Sequence, residues 1–242
     1  VLFAALLYTI PESPRWLVLM GRDSDAGSVL SRIGDSNVTA ALNQIKDSIS
    51  QTEISEPLFQ KKYWKPILIA FFVATFNQLS GINAINYYAP RILEAAGVFR
   101  ESALLQSIFI GMTNLIFTML GMVVIDKFGR KNLLYIGSVF MTIALLSVAA
   151  GFKYESLGGY YMLFSLMLYI AAFAMSLGAV IWVLISEVFP TSVRAKGQVF
   201  GSMTHWAWCA ILTWVFPTLV ESGLSVPTFC FFALMAALTC VL

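Results

Sequence analysis

Six long segments without a single aspartate, glutamate, lysine or arginine constrain this sequence more than any other feature. They are 21 to 31 residues long and cover 66–90, 102–125, 132–152, 156–186, 197–220 and 222–242. About 20 apolar residues are enough for a helix to cross a bilayer. The sequence therefore predicts an all-α polytopic membrane protein with six membrane helices, and the opening VLFAALLYTI resembles the end of a seventh.

The few charged residues between these segments predict how the helices are oriented. Only 12% of the residues are charged, against about 25% in soluble domains. If the segments alternate across the membrane, one side holds 11–65, 126–131 and 187–196 with 12 lysines and arginines, and the other side holds 3. Cytoplasmic loops carry the excess of these residues. We therefore expect a multi-pass protein of the plasma membrane, or the inner membrane in a bacterium, with the first side in the cytoplasm.

The sequence predicts three regions along the chain. We expect the end of a membrane helix at 1–10, a cytoplasmic loop with short amphipathic helices at 11–65, and a transmembrane bundle at 66–242. Apolar residues recur at helical spacing after residue 37 and favour a helix over a solvated linker. Since the sequence starts and stops inside hydrophobic segments, we expect it to be part of a longer protein.

Uncharged polar residues are concentrated in FNQLSGINAINYYAP at 76–90, where a membrane helix is predicted. A buried amide without a partner costs roughly 4–8 kcal/mol on transfer scales that allow no compensation. Four amides within ten residues exceed what weak helix-to-helix hydrogen bonding, about 0.6 kcal/mol each, would explain. Carboxamides both donate and accept, as adjacent sugar hydroxyls require, and tryptophan rings offer an apolar face. This set favours a neutral polyol over an ion or an anion.

Other classes of protein and site are disfavoured by the same residues. The sequence shows no nucleophile–base pair and no cluster of metal ligands, so we expect no enzyme, no cofactor, no metal and no nucleic acid. The three cysteines, Cys209, Cys230 and Cys240, all fall within predicted spans and indicate no disulfide. Gly81 and Gly178 lie in the middle of their segments, where glycine allows either close helix packing or a broken helix.

Four motifs, in order along the chain, identify a family resemblance. They are PESPRWL at 11–17, QLSGINAINYYAP at 78–90, DKFGRK at 126–131 and ISEVFPTSVRAKGQ at 185–198. Together they resemble the sugar porters of the major facilitator superfamily. The resemblance implies the C-terminal six-helix half of a major facilitator fold, family helices 7 to 12 with the last truncated, plus a cytoplasmic helical linker.

The resemblance also implies roles for individual residues. It implies substrate contacts by Gln78, Asn83, Asn77, Asn114, Trp182, His205, Trp206 and Tyr88. It implies gating by Tyr87, Tyr88, Gly81 and Gly178, with the helix bending at Gly178. It implies a cytoplasmic charge network of Glu12, Arg15, Asp126, Arg130, Glu187 and Arg194 that links the two halves when the inside is closed. Asn77 stands where the family usually has glutamine, and His205 stands where asparagine or glutamine is usual.

These implications predict transport of a monosaccharide, a pentose or a hexose, by alternating access with proton-coupled symport. The alternatives are a facilitative uniporter and a transporter-like sensor that binds sugar without moving it. The expected partners are the sugar, protons, the lipid bilayer and an N-terminal six-helix half of the same protein. Histidine side chains in general titrate near neutral pH, which would suit proton coupling by His205. A lone histidine in a helix bundle, however, is more often a hydrogen-bonded packing residue. In the symporters that the chain resembles, the proton-carrying acid lies on the first helix.

Overall fold

The chain divides into two compact units, each described here by itself. The structure is a computed structural model and describes residues 10–34, 37–52 and 56–241. The units are Val1–Pro57 and Leu58–Leu242. The predicted helix end at 1–10 lies outside the described residues, apart from its last residue.

The boundary between the units falls after Pro57. Leu58 and Tyr63 are buried in one cluster with Phe189 and Val193, all in the second unit. The chain therefore joins a buried cluster of the second unit several residues before the charge-free segment at 66–90 begins.

The first unit contains three short helices, α1 (Pro14–Leu19), α2 (Asp23–Ile33) and α3 (Val38–Thr52). Leu17 of α1 is buried with Ala26 and Val29 of α2, and Leu42 of α3 packs against them. An ion pair between Asp23 and Lys46 joins α2 to α3. The short helices predicted in this region are confirmed.

The second unit contains eight α-helices among its described residues, and no strand. They are α4 (Trp64–Leu79), α5 (Ile82–Ala95), α6 (Arg100–Phe128), α7 (Arg130–Lys153), α8 (Gly158–Met175), α9 (Leu177–Val188), α10 (Arg194–Glu221) and α11 (Ser225–Leu238). Short 3-10 turns lie at Lys61–Tyr63, Glu155–Leu157 and Thr239–Val241. The all-α prediction is confirmed.

Five helical segments of the second unit are long and apolar enough to cross a membrane. They are Lys61–Ala95, Arg100–Ile125, Arg130–Lys153, Gly158–Val188 and Arg194–Glu221. The sixth predicted span, 222–242, forms a shorter apolar helix of 14 residues, α11. At 1.5 Å per residue α11 is about 21 Å long.

The core of this bundle lies where α7, α8 and α11 meet α5. Its largest wholly buried side chains include Met141, Tyr169, Phe229 and Phe232. Helix α6 differs, because only 17% of its most apolar window is buried inside the protein. Most of the surface of α6 is therefore left uncovered by the other described helices of this chain.

Two of the long segments are interrupted. Between α4 and α5, Gly81 takes the left-handed conformation with φ 89° and ψ 12°, which glycine adopts without steric penalty. A Cβ at this position would also collide with the ring of Phe232. Glycine is therefore required at this interruption for two independent reasons.

The second interruption lies two residues before the glycine at which the family resemblance implies a bend. It lies at Ser176, with φ −115° and ψ −96°, between α8 and α9, rather than at Gly178. Gly178 instead allows a close approach, because a Cβ there would lie 3.2 Å from the carbonyl oxygen of Phe173. The hydroxyl of Ser176 donates to the carbonyl oxygen of Ala172 at 2.6 Å and satisfies one backbone group beside the interruption.

Candidate functional site

A cavity of about 190 Å³ lies beside both helix interruptions. It is lined by Asn77, Ile82, Asn83, Asn86, Phe173, Gly178, Ile181, Trp182 and His205. These residues come from α4, α5, α8, α9 and α10. Four of the predicted substrate contacts, Asn77, Asn83, Trp182 and His205, therefore share one cavity.

A larger cavity, about 440 Å³, lies between α6, α7 and α8 and lacks this chemistry. Its lining is apolar except for Ser176, whose hydroxyl is already bonded to Ala172. The smaller cavity is the better candidate site, because it combines polar side chains with an aromatic face.

The interruption at Gly81 is held in place by hydrogen bonds from side chains. The Ser80 hydroxyl donates to the carbonyl oxygen of Asn77 at 2.7 Å. The Tyr169 hydroxyl of α8 donates to the carbonyl oxygen of Ser80 at 2.9 Å. Backbone carbonyls freed by a broken helix need such partners inside a membrane. These two bonds fix the end of α4, and with it the direction of Asn77 and Gln78.

Three side chains form a chain of hydrogen bonds behind the cavity. The Nδ2 of Asn83 donates to the Oε1 of Gln78 at 3.0 Å. The Nε2 of Gln78 lies 2.7 Å from the Nε2 of His205. Gln78 is 0% exposed and is not among the residues that line the cavity. It therefore orients Asn83 and His205 from behind.

Two residues of the cavity wall carry buried polar atoms that have no hydrogen-bond partner among the residues that the structure describes. Both carboxamide atoms of Asn77 and the Nδ1 of His205 are in this position. A buried polar atom without a partner costs about 1–3 kcal/mol. A ligand with hydroxyl groups is suited to satisfy all three atoms, because a hydroxyl both donates and accepts.

The aromatic residues of α9 and α10 differ in their placement. Trp182 lines the cavity and its ring centroid lies 5.0 Å from that of His205. Trp206 contacts the other side of His205 edge-on, with centroids 5.5 Å apart, and is 57% exposed. The cavity therefore has the indole of Trp182 as an apolar wall, whereas Trp206 does not line it.

Other predicted residues lie away from this cavity. Asn114 of α6 accepts a hydrogen bond from Thr118 at 3.3 Å on its own helix. The Tyr88 hydroxyl donates to the carbonyl oxygen of Thr213 at 3.0 Å, and its ring lines a separate cavity of about 310 Å³. Tyr87 is 56% exposed. The structure therefore does not bring Asn114, Tyr87 or Tyr88 to the candidate site.

Two of the predicted cytoplasmic charges pair with each other. Arg130 and Glu187 form an ion pair of 2.8 Å, with both side chains about half exposed. The Nε of Arg194 donates to the carbonyl oxygen of Phe189 at 3.4 Å. Glu12 and Arg15 belong to the first unit, and the side chain of Asp126 lies outside what the structure describes.

Two residues that support the site were missed by the sequence analysis. Cys209 accepts a hydrogen bond from the Nδ2 of Asn83 at 3.0 Å, and Tyr169 holds the interruption. Cys209 lies four residues after His205 on α10, so helical spacing alone would have placed both on one face. Tyr169 bonds to a backbone carbonyl, and such a contact has no signature in the sequence.

Comparisons with known proteins identify the family of this chain. The family model described as "Sugar (and other) transporter" matches residues 1–242. The D-xylose-proton symporter of Escherichia coli (strain K12) is 38% identical over 224 residues, which cover 92% of this chain and 45% of that protein. The glucose facilitated diffusion protein of Zymomonas mobilis is 38% identical over 210 residues, which cover 85% of this chain and 44% of that protein.

A solved structure shows the same fold. It is a proton:xylose symporter of the major facilitator superfamily bound to 6-bromo-6-deoxy-D-glucose, with a TM-score of 0.80 and 36% identity. The match covers 99% of this chain and 52% of the other. The chain therefore spans about half the length of the relatives that it matches.

Proposed function

Since this chain belongs to the sugar (and other) transporter family, we propose that it forms one half of a monosaccharide transporter that works by alternating access. It is a multi-pass integral membrane protein with a major facilitator fold. Members of this family are transporters rather than enzymes. The proposed location is the plasma membrane, or the inner membrane of a bacterium, and the proposed partner is a second, N-terminal half.

One observation carries the proposal. The cavity beside the Gly81 interruption combines unpartnered buried polar atoms on Asn77 and His205 with the indole of Trp182. None of its nine lining residues is charged. A charged substrate would leave its charge without compensation in a low-dielectric site, whereas sugar hydroxyls match carboxamides and imidazole.

The geometry suggests how this half takes part in transport. In this proposal the sugar stacks on Trp182 and bonds to Asn77, Asn83 and His205, while the second half rocks across the occupied site. The ion pair of Arg130 and Glu187 lies at the predicted cytoplasmic end. A pair of this kind biases the cycle only if it is intact in one state and broken in another.

The proposed coupling is proton symport, on the model of the xylose relative's name. Because no acidic residue lines the cavity, the group that carries the proton would lie in the second half. Facilitated diffusion is the second candidate. It is favoured by the relative from Zymomonas mobilis, which is named for that activity.

Counterflow in proteoliposomes tests the proposal. The transporter that contains this chain would be reconstituted and loaded with unlabelled D-xylose or D-glucose, and the uptake of labelled sugar would be measured. Exchange without a proton gradient supports transport, and accumulation driven by an inward proton gradient separates symport from uniport. Binding without exchange would favour the sensor, and neither binding nor exchange of any monosaccharide would overturn the proposal.

A further inference from the structure

His205, the single histidine of the sequence, sits at the end of the hydrogen-bond chain behind the cavity. We propose that this chain locks His205 in the neutral form that carries its proton on Nδ1, so that the cavity presents a fixed donor there. Asn83 in turn presents a fixed acceptor. The inference rests on the proposed function, and it adds a rule for which sugar oxygens must donate and which must accept.

The first step is the orientation of Asn83. Its Nδ2 carries two protons, and both have acceptors, the Sγ of Cys209 at 3.0 Å and the Oε1 of Gln78 at 3.0 Å. The Sγ of Cys209 also lies 4.0 Å from the Oγ1 of Thr213, and because a thiol sulfur carries two lone pairs it can accept from Asn83 whichever of these two groups donates. Asn83 therefore has only its carbonyl oxygen left for a ligand.

The second step passes this orientation to His205. With Oε1 turned toward Asn83, Gln78 directs its Nε2 protons at the Nε2 of His205, which lies 2.7 Å away. An amide nitrogen cannot accept, so this imidazole nitrogen must be the acceptor and carries no proton. The proton of the neutral ring is then on Nδ1, the buried atom that has no partner in the described part of the chain.

The consequence is a cavity wall with assigned polarity. His205 donates only, Asn83 accepts only, and Asn77 has both a free donor and a free acceptor. A sugar oxygen that meets His205 has only to accept, so a ring oxygen or a fluorine would serve there as well as a hydroxyl. The asparagine or glutamine usual at this position in the family can rotate its carboxamide to present either a donor or an acceptor to the sugar. His205, held by Gln78, can present only a donor.

Analogues of a bound sugar test the polarity directly. D-xylose or D-glucose, whichever binds more tightly to the reconstituted transporter, would be compared with its monodeoxy and monodeoxyfluoro derivatives by titration calorimetry. Fluorine accepts a weak hydrogen bond and donates none. At one ring position we expect the fluoro analogue to bind within about 3-fold of the parent, and the deoxy analogue about 10-fold more weakly, as for the loss of one hydrogen bond.

Variants of His205 test whether this residue contacts the ring position at which the fluoro and deoxy analogues differ. In His205→Gln, whose amide can still donate, we expect the parent sugar still to bind and the fluoro analogue still to bind more tightly than the deoxy analogue. In His205→Phe, which has no donor, the difference between the fluoro and deoxy analogues should fall below about 2-fold, and thermal unfolding would show that each variant is folded. Trp214→Phe, on an exposed part of the same helix, is the matched control and should keep the wild-type pattern.

Nitrogen-15 NMR of histidine-labelled transporter in liposomes gives a second readout. The signal that His205→Gln removes should show a protonated Nδ1 and an unprotonated Nε2, and Gln78→Leu should abolish this preference. A protonated Nε2 would overturn the inference, as would a fluoro–deoxy difference that persists in His205→Phe or appears at no ring position. If no monosaccharide binds to the wild type, the proposed function itself fails.

Discussion

The hydroxyl of Tyr169 donates to the carbonyl oxygen of Ser80 at 2.9 Å and joins α8 to the interruption between α4 and α5. Tyr169 is wholly buried, so its hydroxyl has little chance of replacing this partner with water. The contact acts on the candidate site indirectly, because it holds the end of the helix that carries Asn77 and Gln78.

Removing this hydroxyl should weaken both the fold and the site. For Tyr169→Phe we expect a loss of about 1 kcal/mol of stability, the usual contribution of one hydrogen bond. The dissociation constant for sugar should rise about 5-fold if the same energy is lost from the positioning of Asn77 and Gln78. Tyr161→Phe is the matched control, because it removes a hydroxyl bonded to Ser147, away from the cavity. Equal sugar affinity in the two variants would show that Tyr169 is purely structural.

Truncating Asn83 should disable sugar binding while leaving membrane insertion intact. Asn83→Ala removes the acceptor in the cavity and also the bond that orients Gln78. We expect an affinity at least about 10-fold lower, as for the loss of two hydrogen bonds. Binding is measured by titration calorimetry, and Ser107→Ala, which removes a polar group on an exposed part of α6, is the control. Normal affinity in Asn83→Ala would remove this residue from the site.

Trp182→Ala tests the apolar wall of the cavity. The loss of an aromatic face against the sugar should weaken binding by about 10-fold or more. Trp214→Ala removes an indole that is 84% exposed and should leave binding unchanged. The comparison uses protein of matched thermal stability, and equal affinities in the two tryptophan variants would contradict the proposed stacking.

A methyl group at Gly81 should be far more damaging than one at a glycine in open space. Gly81→Ala combines the left-handed backbone penalty, roughly 1–2 kcal/mol, with a collision against Phe232. Gly97→Ala has a similar φ of 87° but no atom within 4 Å of the added carbon, so it should cost only the backbone term. Thermal unfolding measures both variants. A loss of stability no greater in Gly81→Ala than in Gly97→Ala would show that the close packing is unimportant.

Breaking the ion pair of Arg130 and Glu187 should change transport more than stability. Both side chains are about half exposed, and pairs of this kind contribute only about 0–1 kcal/mol. We therefore expect Glu187→Gln to alter the turnover rate in counterflow with little change in sugar affinity. Arg100→Ala, which breaks a longer pair with Glu94, is the control. Unchanged turnover in Glu187→Gln would show that this pair is only a solvated surface contact without a role in the transport cycle.

Much of the fold was predictable because a bilayer leaves few choices for backbone hydrogen bonds. Five of the six charge-free segments are helices of spanning length. The interruption at Gly81 was also foreseeable, since glycine tolerates the left-handed region. The interruption at Ser176 was not, because no sequence rule places a serine at φ −115° and ψ −96°.

The candidate site was predictable in its residue types but not in its geometry. Carboxamides at 77 and 83, inside a predicted membrane span, needed a common partner, and the structure brings them to one cavity. Gln78 was expected at the substrate, but the turn at Gly81 leaves it behind the wall. Asn114 was expected there too, but its neighbours depend on how α6 packs, and helical spacing does not encode that.

The exposed surface of α6 has a practical consequence for experiments on this protein. Side chains there, such as Leu115 and Val123, are 63% exposed and lie outside the packed core of the bundle. One apolar group should replace another on that surface without disturbing the cavity. Fluorescent reporters attached there would follow the motion of this half while leaving its chemistry intact.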